Sequence, residues 1–244
     1  MKLLAFNGSP RGKHSNTDRI LQPFLEGASS AGSDVETETV YLKDYKINHC
    51  LGCFTCWTKT PGVCIQKDGL QELMEKAIDA NIMIFATPLY IFTVSGLMKN
   101  FMDRLMMGLA KPYIIKRGEY YTHPSRYNES FNKRIVLISN CGFPGRYNFA
   151  GLVETFKILC EVSGSELLAS ILCPMGELLS IPQLLPSLDW YLEAVKKAGK
   201  EILVKGHMDP ETEAILKRNL MKEEEYVMLA NAYFEDMIKS NDDN

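Results

Sequence analysis

Apolar residues along the chain fall into two alternating patterns. Short β-rich apolar runs occupy Lys2–Asn7, Val35–Tyr41, Ile82–Thr87, Arg134–Asn140 and Leu167–Leu172. Longer stretches with helical spacing of apolar positions lie near Asn16–Ala31, Gly69–Ala80, Val94–Leu109, Ala150–Ser163 and Leu184–Val204. The first, third and fourth runs are almost continuously apolar, as expected of strands covered on both faces. Strand–helix alternation over this length predicts an α/β fold, a parallel sheet with helices on both sides. Five such units fit the doubly wound strand order 2-1-3-4-5, in which ligands bind outside the carboxyl ends of the strands.

Two segments depart from this pattern. The polar stretch 111–132 carries Tyr113, Tyr120, Tyr121, His123 and Tyr127. It reads as an inserted loop or hairpin, either a lid over a substrate face or a packed subunit contact. After Gly206, Asp209-Pro210-Glu211-Thr212-Glu213 is a helix start with acids in its first turn. Helical periodicity then continues to about Ile238. This predicts one or two added helices, docked on the domain or on a second subunit, with Ser240–Asn244 frayed. No repeat or low-complexity linker interrupts the chain. The expected organisation is one domain over 1–205 and a C-terminal helical extension over 206–244.

Charge narrows the function classes. The 244 residues carry a formal net charge of −3 and no basic stripe interleaved with aromatics, so nucleic acid is not an expected partner. No apolar run approaches the roughly 18 residues that span a bilayer, and no leader pattern opens the chain. The expected location is the cytoplasm. In that reducing setting the seven cysteines read as metal-binding or catalytic rather than as a disulfide framework.

Two motifs carry chemistry. The first strand runs into Asn7-Gly8-Ser9-Pro10-Arg11-Gly12-Lys13-His14-Ser15-Asn16-Thr17. Hydroxyls of Ser9, Ser15 and Thr17, with the free amides of a helix start, make a phosphate site. Arg11 and Lys13 add charge-assisted bonds. The loop has neither the Gly-Lys-Ser/Thr ending of a Walker loop nor the G-x-G-x-x-G of a dinucleotide fold. The bland alternative is a well-capped helix. The second motif, Cys50-x2-Cys53-x2-Cys56-x7-Cys64, gathers four thiols in the loop 50–64.

Taken with Pro88-Leu89-Tyr90 after the third strand and Gly96-Leu97-Met98-Lys99-Asn100-Phe101-Met102-Asp103-Arg104, the phosphate loop resembles that of the NADPH-dependent FMN reductase family. The thiol motif followed by Lys67-Asp68 is similar to the iron–sulfur flavoprotein branch of that family. The likeness covers roughly residues 1–175. It implies a flavodoxin-like fold and non-covalent FMN, with the phosphate on Ser9, Arg11, Ser15, Asn16 and Thr17. The isoalloxazine is then expected against Pro88, Leu89, Tyr90, Ile91 and Phe92 and against Asn140-Cys141-Gly142-Phe143. It also implies a homodimer or homotetramer with the flavin near a subunit interface.

The thiol loop keeps three readings. A [4Fe–4S] cluster on Cys50, Cys53, Cys56 and Cys64 suits tetrathiolate ligation at short spacing. Structural zinc fits less well, since it prefers two separate Cys pairs. The third reading is a set of free or redox-active thiols, with Phe54 and Trp57 forming an aromatic wall over a neighbouring subunit's flavin. Cys160 and Cys173 read as buried and inert, whereas Cys141 would border the flavin. The scattered histidines form no metal pair.

The expected function is an FMN-dependent oxidoreductase that passes electrons from NAD(P)H, or from a reduced carrier, to a small acceptor such as a quinone or flavin. The alternative is an electron carrier with a ferredoxin-like partner. Neither demands a side-chain acid–base catalyst, and none is nominated.

Overall fold

A computed structural model describes residues 1–127 and 133–242. Strands β1 (Lys2–Asn7), β2 (Glu36–Tyr41), β3 (Ile82–Pro88), β6 (Arg134–Asn140) and β7 (Glu166–Cys173) form one sheet in the order β2-β1-β3-β6-β7. All four pairings are parallel. This is the doubly wound, flavodoxin-like order expected from the strand–helix alternation. The inner strands β1, β3 and β6 are buried along almost their whole length, whereas edge strand β2 is exposed over its first residues.

Alternate residues of each strand feed opposite faces, because successive side chains of a strand point to opposite sides of the sheet. Leu3, Ala5, Ile84 and Val136 pack under helices α1 (Asn16–Ser29) and α6 (Leu185–Lys205). Leu4, Phe6, Phe85 and Leu137 pack under α3 (Leu70–Asp79), α4 (Gly96–Leu109) and α5 (Ala150–Ser163). Each fully buried Phe or Leu in these layers contributes about 1.5–3 kcal/mol.

Helices α1 and α6 touch backbone to backbone. A Cβ on Gly27 would sit 1.8 Å from the Lys196 carbonyl oxygen, and one on Gly199 would sit 2.0 Å from that of Phe24. Only glycine permits this approach. It fixes α1 against α6, and α1 begins at the loop that follows β1.

The insert contains a hairpin, β4 (Ile115–Arg117) against β5 (Tyr120–Thr122), that does not join the main sheet. The rest of the predicted insert, residues 128–132, lies outside the described residues. The C-terminal extension is a pair of helices, α7 (Pro210–Leu216) and α8 (Glu223–Asp242). Buried Glu201 of α6 ties α7 down, accepting from the Asp209 amide and the Thr212 hydroxyl, each at 3.0 Å. The expected fraying from Ser240 is corrected in part: α8 continues through Asp242, with the Ser240 hydroxyl on the Met237 carbonyl. The last two residues lie outside the description. Near its start, α8 buries Tyr226, whose hydroxyl donates to the Gly142 carbonyl. From Asn231 to Ser240 every residue of α8 is exposed, Tyr233, Phe234 and Ile238 among them. Among the described residues, no helix is long and apolar enough to cross a membrane.

Candidate functional site

The strand order reverses between β1 and β3, and at such a switch point doubly wound folds bind ligands at the carboxyl ends of the strands. Three of the predicted loops meet there. The first follows β1. Gly8 donates its amide to Ala86 of β3 at 2.8 Å, and its carbonyl accepts from the Ser95 hydroxyl at 2.6 Å. A Cβ on Gly8 would come within 2.9 Å of Met98, so α4 can approach only a glycine here. The neighbouring chain then turns through a short 3-10 segment, Gly12–His14, and enters α1 at Ser15.

Ser9, Ser15, Asn16 and Thr17 are all buried in this loop, whereas Arg11 is exposed. Their side chains already have partners. Ser15 is the N-cap of α1, with its oxygen accepting from the Asp18 amide at 3.1 Å and donating to the Gly12 carbonyl. The Ser9 hydroxyl accepts from the Arg11 amide. Thr17 donates to the Asn140 side-chain oxygen at 2.7 Å, and Asn16 bridges Glu177 and Ser180. The first-turn amides of a helix have no intrahelical acceptor. The Ser15 cap takes one and leaves those of Asn16 and Thr17 as donors at a positive helix end. Arg11 lies 3.6 Å from Glu177, an exposed pair worth little on its own. The donor set of serine hydroxyls, first-turn amides and one mobile-length guanidinium fits a phosphate monoester.

The second loop follows β3. The Leu89 amide donates to the Asn140 carbonyl at 2.8 Å, which locks this loop to the end of β6. Tyr90 and Thr93 close a tight turn through reciprocal backbone bonds. Inside it Ile91 and Phe92 hold φ of 47° and 61°. Left-handed backbone is a true outlier for a β-branched or bulky residue. Both side chains are exposed, Ile91 at 88%. The third loop, after β6, places Cys141 buried and Gly142 against Tyr226. The Cys141 amide donates to the Cys173 carbonyl, and Gly176 donates back to Cys141. Burial pushes the Cys141 thiol above the usual range. Phe143 and Tyr147 beside it are exposed.

The thiol loop leaves the carboxyl end of β2. Cys50, Cys53, Cys56 and Cys64 line one small cavity together with Arg104 of α4. No group of three or more His, Cys, Asp or Glu among the described residues is set to hold a single metal ion. Four thiolates at short spacing are the ligand type of a [4Fe–4S] cluster, whereas tetrathiolate zinc usually uses two separate Cys pairs. The Cys53 thiol is held low by the Thr55 hydroxyl and amide, and burial pushes Cys56 up. Phe54, at φ 54°, starts the single-turn helix α2 (Thr55–Thr58).

The insert packs on this loop, a role neither the lid nor the subunit-contact expectation contained. The His123 ring lies 4.4 Å from that of Trp57, and Arg126 donates to the carbonyls of Cys56 and Ala110. Trp57 donates its indole N–H to the Met107 carbonyl at 2.7 Å. Of the expected aromatic wall, Trp57 is thus engaged within its own chain and Phe54 is exposed. Sequence reading also missed the neck of the loop. Arg104 and Asp68, both nearly fully buried, pair at 2.6 Å, and the Asn48 amide donates to the same carboxylate. The available signal was a charge on an apolar stripe, Leu97, Phe101, Arg104, Gly108.

A separate apolar cavity of about 170 Å³ lies under the hairpin at the amino ends of β3 and β6, lined by Met83, Met106, Leu109 and Leu159. None of the predicted flavin or thiol residues lines it.

Comparison with known proteins identifies the group to which this architecture belongs. The chain is 38% identical over 116 residues to an iron-sulfur flavoprotein of Archaeoglobus fulgidus, covering 48% of this chain and 54% of that protein. It is 38% identical over 120 residues to an iron-sulfur flavoprotein of Methanocaldococcus jannaschii, covering 48% of this chain and 57% of that one. The chain thus spans about half the length of these relatives. An FMN-dependent NADH-azoreductase of Bacillus anthracis, solved with FMN, superposes with a TM-score of 0.60 at 16% identity. That alignment covers 83% of this chain and 100% of the azoreductase, and it is a likeness of fold. The sequence pattern of the NADPH-dependent FMN reductases matches residues 1–146, more than half of the 244, and the chain belongs to that family.

Proposed function

We propose that this chain is an FMN-dependent oxidoreductase that takes electrons from NAD(P)H, or from a reduced carrier, and delivers them to a small acceptor such as a quinone or a flavin. The observation that carries the reading is the meeting of three loops at the switch point. One offers helix-start amides, buried hydroxyls and Arg11; another holds Ile91 and Phe92 in strained backbone; the third is fastened to both by Asn140. Strain of this kind persists where surrounding structure over-determines it, and it clusters at ligand sites.

In this reading Ser9, Arg11, Ser15, Asn16 and Thr17 anchor the phosphate. Pro88–Phe92 and Asn140–Gly142 receive the ring, with backbone donors along its edge. The chemistry the flavin supplies when bound is hydride uptake from a nicotinamide and electron release singly or in pairs. The protein's own work is to bind, orient and shield, and no side chain is required as acid or base. Residues 1–205 form the flavin domain in this reading and 206–244 an extension that braces the Gly142 loop through Tyr226. The apolar rim of Ile91, Phe92, Phe143 and Tyr147 suits burial against a second copy in a homodimer or homotetramer. Seven unpaired thiols suit the cytoplasm.

Flavin retention tests this. Ser9→Ala combined with Arg11→Ala should purify with far less FMN per chain than the wild type. Wild-type stoichiometry in that variant overturns the phosphate assignment.

A second reading has its own support. The cavity shared by Cys50, Cys53, Cys56 and Cys64 favours a [4Fe–4S] cluster and an electron-carrier role with a ferredoxin-like partner. The similarity to proteins named iron-sulfur flavoproteins points the same way. Cys53→Ala should abolish iron binding and leave FMN in place. Unchanged iron content would mean that the ligands lie elsewhere.

A further inference from the structure

We infer that Arg104 serves the thiol cavity directly: its buried guanidinium clamps the neck of the Cys loop and donates hydrogen bonds to the sulfur ligands of the group held there, raising that group's reduction potential. The inference rests on the cluster reading of the loop given above.

Arg104 is a costly residue in its position. It lies on the buried face of α4, and its side chain is 1% exposed. Its carboxylate partner Asp68 is 3% exposed. A buried ion pair is weak evidence of net stabilisation, because desolvation of both charges offsets their attraction. The pair's geometry suggests a different use.

A guanidinium has five N–H donors in a fixed planar fork. Here four are assigned. One terminal nitrogen donates to the Asn48 carbonyl at 3.1 Å and to Asp68 Oδ2 at 2.6 Å. The other donates to Asp68 Oδ1 at 3.1 Å and to Cys64 Sγ at 3.1 Å. The fifth donor, Nε–H, is buried and finds no acceptor among the described residues. Buried donors without partners are rare and call for an explanation. This one belongs to a side chain that lines the cavity shared by the four thiols.

The same contacts close the loop. Asn48 precedes the first thiol and Asp68 follows the last, and both are held by Arg104. Asp68 further accepts from the Asn48 amide and side chain. One side chain of α4 thus joins the entry and exit of the loop and contacts its fourth thiol.

A donor to ligand sulfur matters electrically. Reduction places more negative charge on the sulfurs, so a hydrogen bond to sulfur is stronger in the reduced state and raises the potential. Arg104 offers one such bond to Cys64 in place, and Nε–H is the donor left for a further sulfur. Lysine would keep the charge but lose the fork that reaches Asn48, Asp68 and Cys64 together.

The test compares wild type, Arg104→Lys, Arg104→Gln and the double variant Arg104→Gln/Asp68→Asn, all purified anaerobically at full length. Iron, sulfide, zinc and FMN are assayed per chain, folding is followed by near-ultraviolet circular dichroism, and the iron–sulfur midpoint potential is measured by potentiometric titration. The double variant keeps the test sound if unpaired Asp68 destabilises the single Gln variant. The expected result is wild-type FMN in every variant, with an iron–sulfur potential below that of wild type, less so in Lys than in Gln. Loss of iron from the folded, FMN-replete Lys variant also supports the inference, since Lys retains the charge but loses the planar fork that reaches Asn48, Asp68 and Cys64 together. Iron-replete variants with the wild-type potential overturn this inference and leave the cluster reading intact. Wild-type protein that holds zinc or no metal after reconstitution overturns the cluster reading, and this inference falls with it.

Discussion

The hydroxyl of Thr17 donates to the side-chain oxygen of Asn140 at 2.7 Å, joining the first turn of α1 to the end of β6. Both residues are buried, and they come from separate loops of the candidate flavin site. Thr17→Val keeps the shape and removes the donor. A buried acceptor left unpaired costs about 1–3 kcal/mol. The variant should melt below wild type and bind FMN more weakly, because the phosphate loop and the ring loop lose their shared anchor. Thermal unfolding with a flavin titration checks both. An unchanged dissociation constant would show that Asn140 holds its place without Thr17.

The seven thiols should differ widely in reactivity. The thiolate is the nucleophile, so a lowered pKa and exposure favour alkylation. Cys53 is exposed and held below its usual value by Thr55, whereas burial pushes Cys160 to about 11 and Cys173 to about 12. In metal-free protein, limiting iodoacetamide at pH 7.5 should label Cys53 first and Cys160 and Cys173 last, read by peptide mass spectrometry. Early labelling of Cys173 would contradict its placement in the core.

Asp68 makes an acid-side prediction. Burial raises its pKa, but the Arg104 hydrogen bond and the Asn48 and Leu70 amides outweigh that, and the carboxyl ends below its ordinary 3.8. A depressed carboxyl stabilises the fold above the unfolded value and loses that contribution as the pH falls through the folded value. At neutral pH Asp68→Asn should cost about 3–5 kcal/mol, the price of stranding a buried partner charge. The gap between wild type and variant should then narrow as the pH drops below 3.8. A gap that stays constant in denaturant titrations across that range would show that Arg104 is neutralised by another group.

Gly27→Ala adds one methyl group where none fits. Its Cβ would lie 1.8 Å from the Lys196 carbonyl oxygen, a backbone atom that can move only with α6. Overpacking of this kind typically costs about 1–3 kcal/mol. The melting temperature should fall, and flavin affinity should fall with it because α1 carries the phosphate loop. Wild-type melting would mean that the two helices separate freely.

Tyr226→Phe removes the hydroxyl that donates to the Gly142 carbonyl. Expected are a stability loss of about 1 kcal/mol and faster hydrogen exchange in both α8 and the 141–143 loop. Faster exchange in α8 alone would show that the extension does not brace the candidate flavin loop.

The inner strands were legible because burial on both faces demands continuous apolar runs, as in Ile82–Thr87. Edge strand β2 was legible from Val40 and its flanks, although its first residues are exposed. Ser15 announced the start of α1 by its capping chemistry. The left-handed backbone at Phe54, Ile91, Phe92 and Met175 left no trace in the sequence. Turn chemistry predicts Gly or Asn at such φ values; Ile91 and Phe92 are instead enclosed by the reciprocal Tyr90–Thr93 backbone bonds, and Met175 is buried in the core. The Asp68–Arg104 pair was hidden for a related reason. Each residue was read within its own motif, and only folding brings α4 against the neck of the Cys loop. The packing of His123 on Trp57 likewise depends on where the hairpin lands, which local pattern does not encode.

The glycine contact between α1 and α6 also bears on the order of events during synthesis. The helix that opens at the candidate phosphate loop is synthesised before four of the five strands of the sheet. Its tightest packing partner, the stretch around Lys196 and Gly199, emerges only after all five strands of the sheet. Contacts between such distant segments form late, because the loop between them must close first. The candidate phosphate loop therefore gains its α6 support only after the sheet is complete, and firm flavin binding is expected only after that docking.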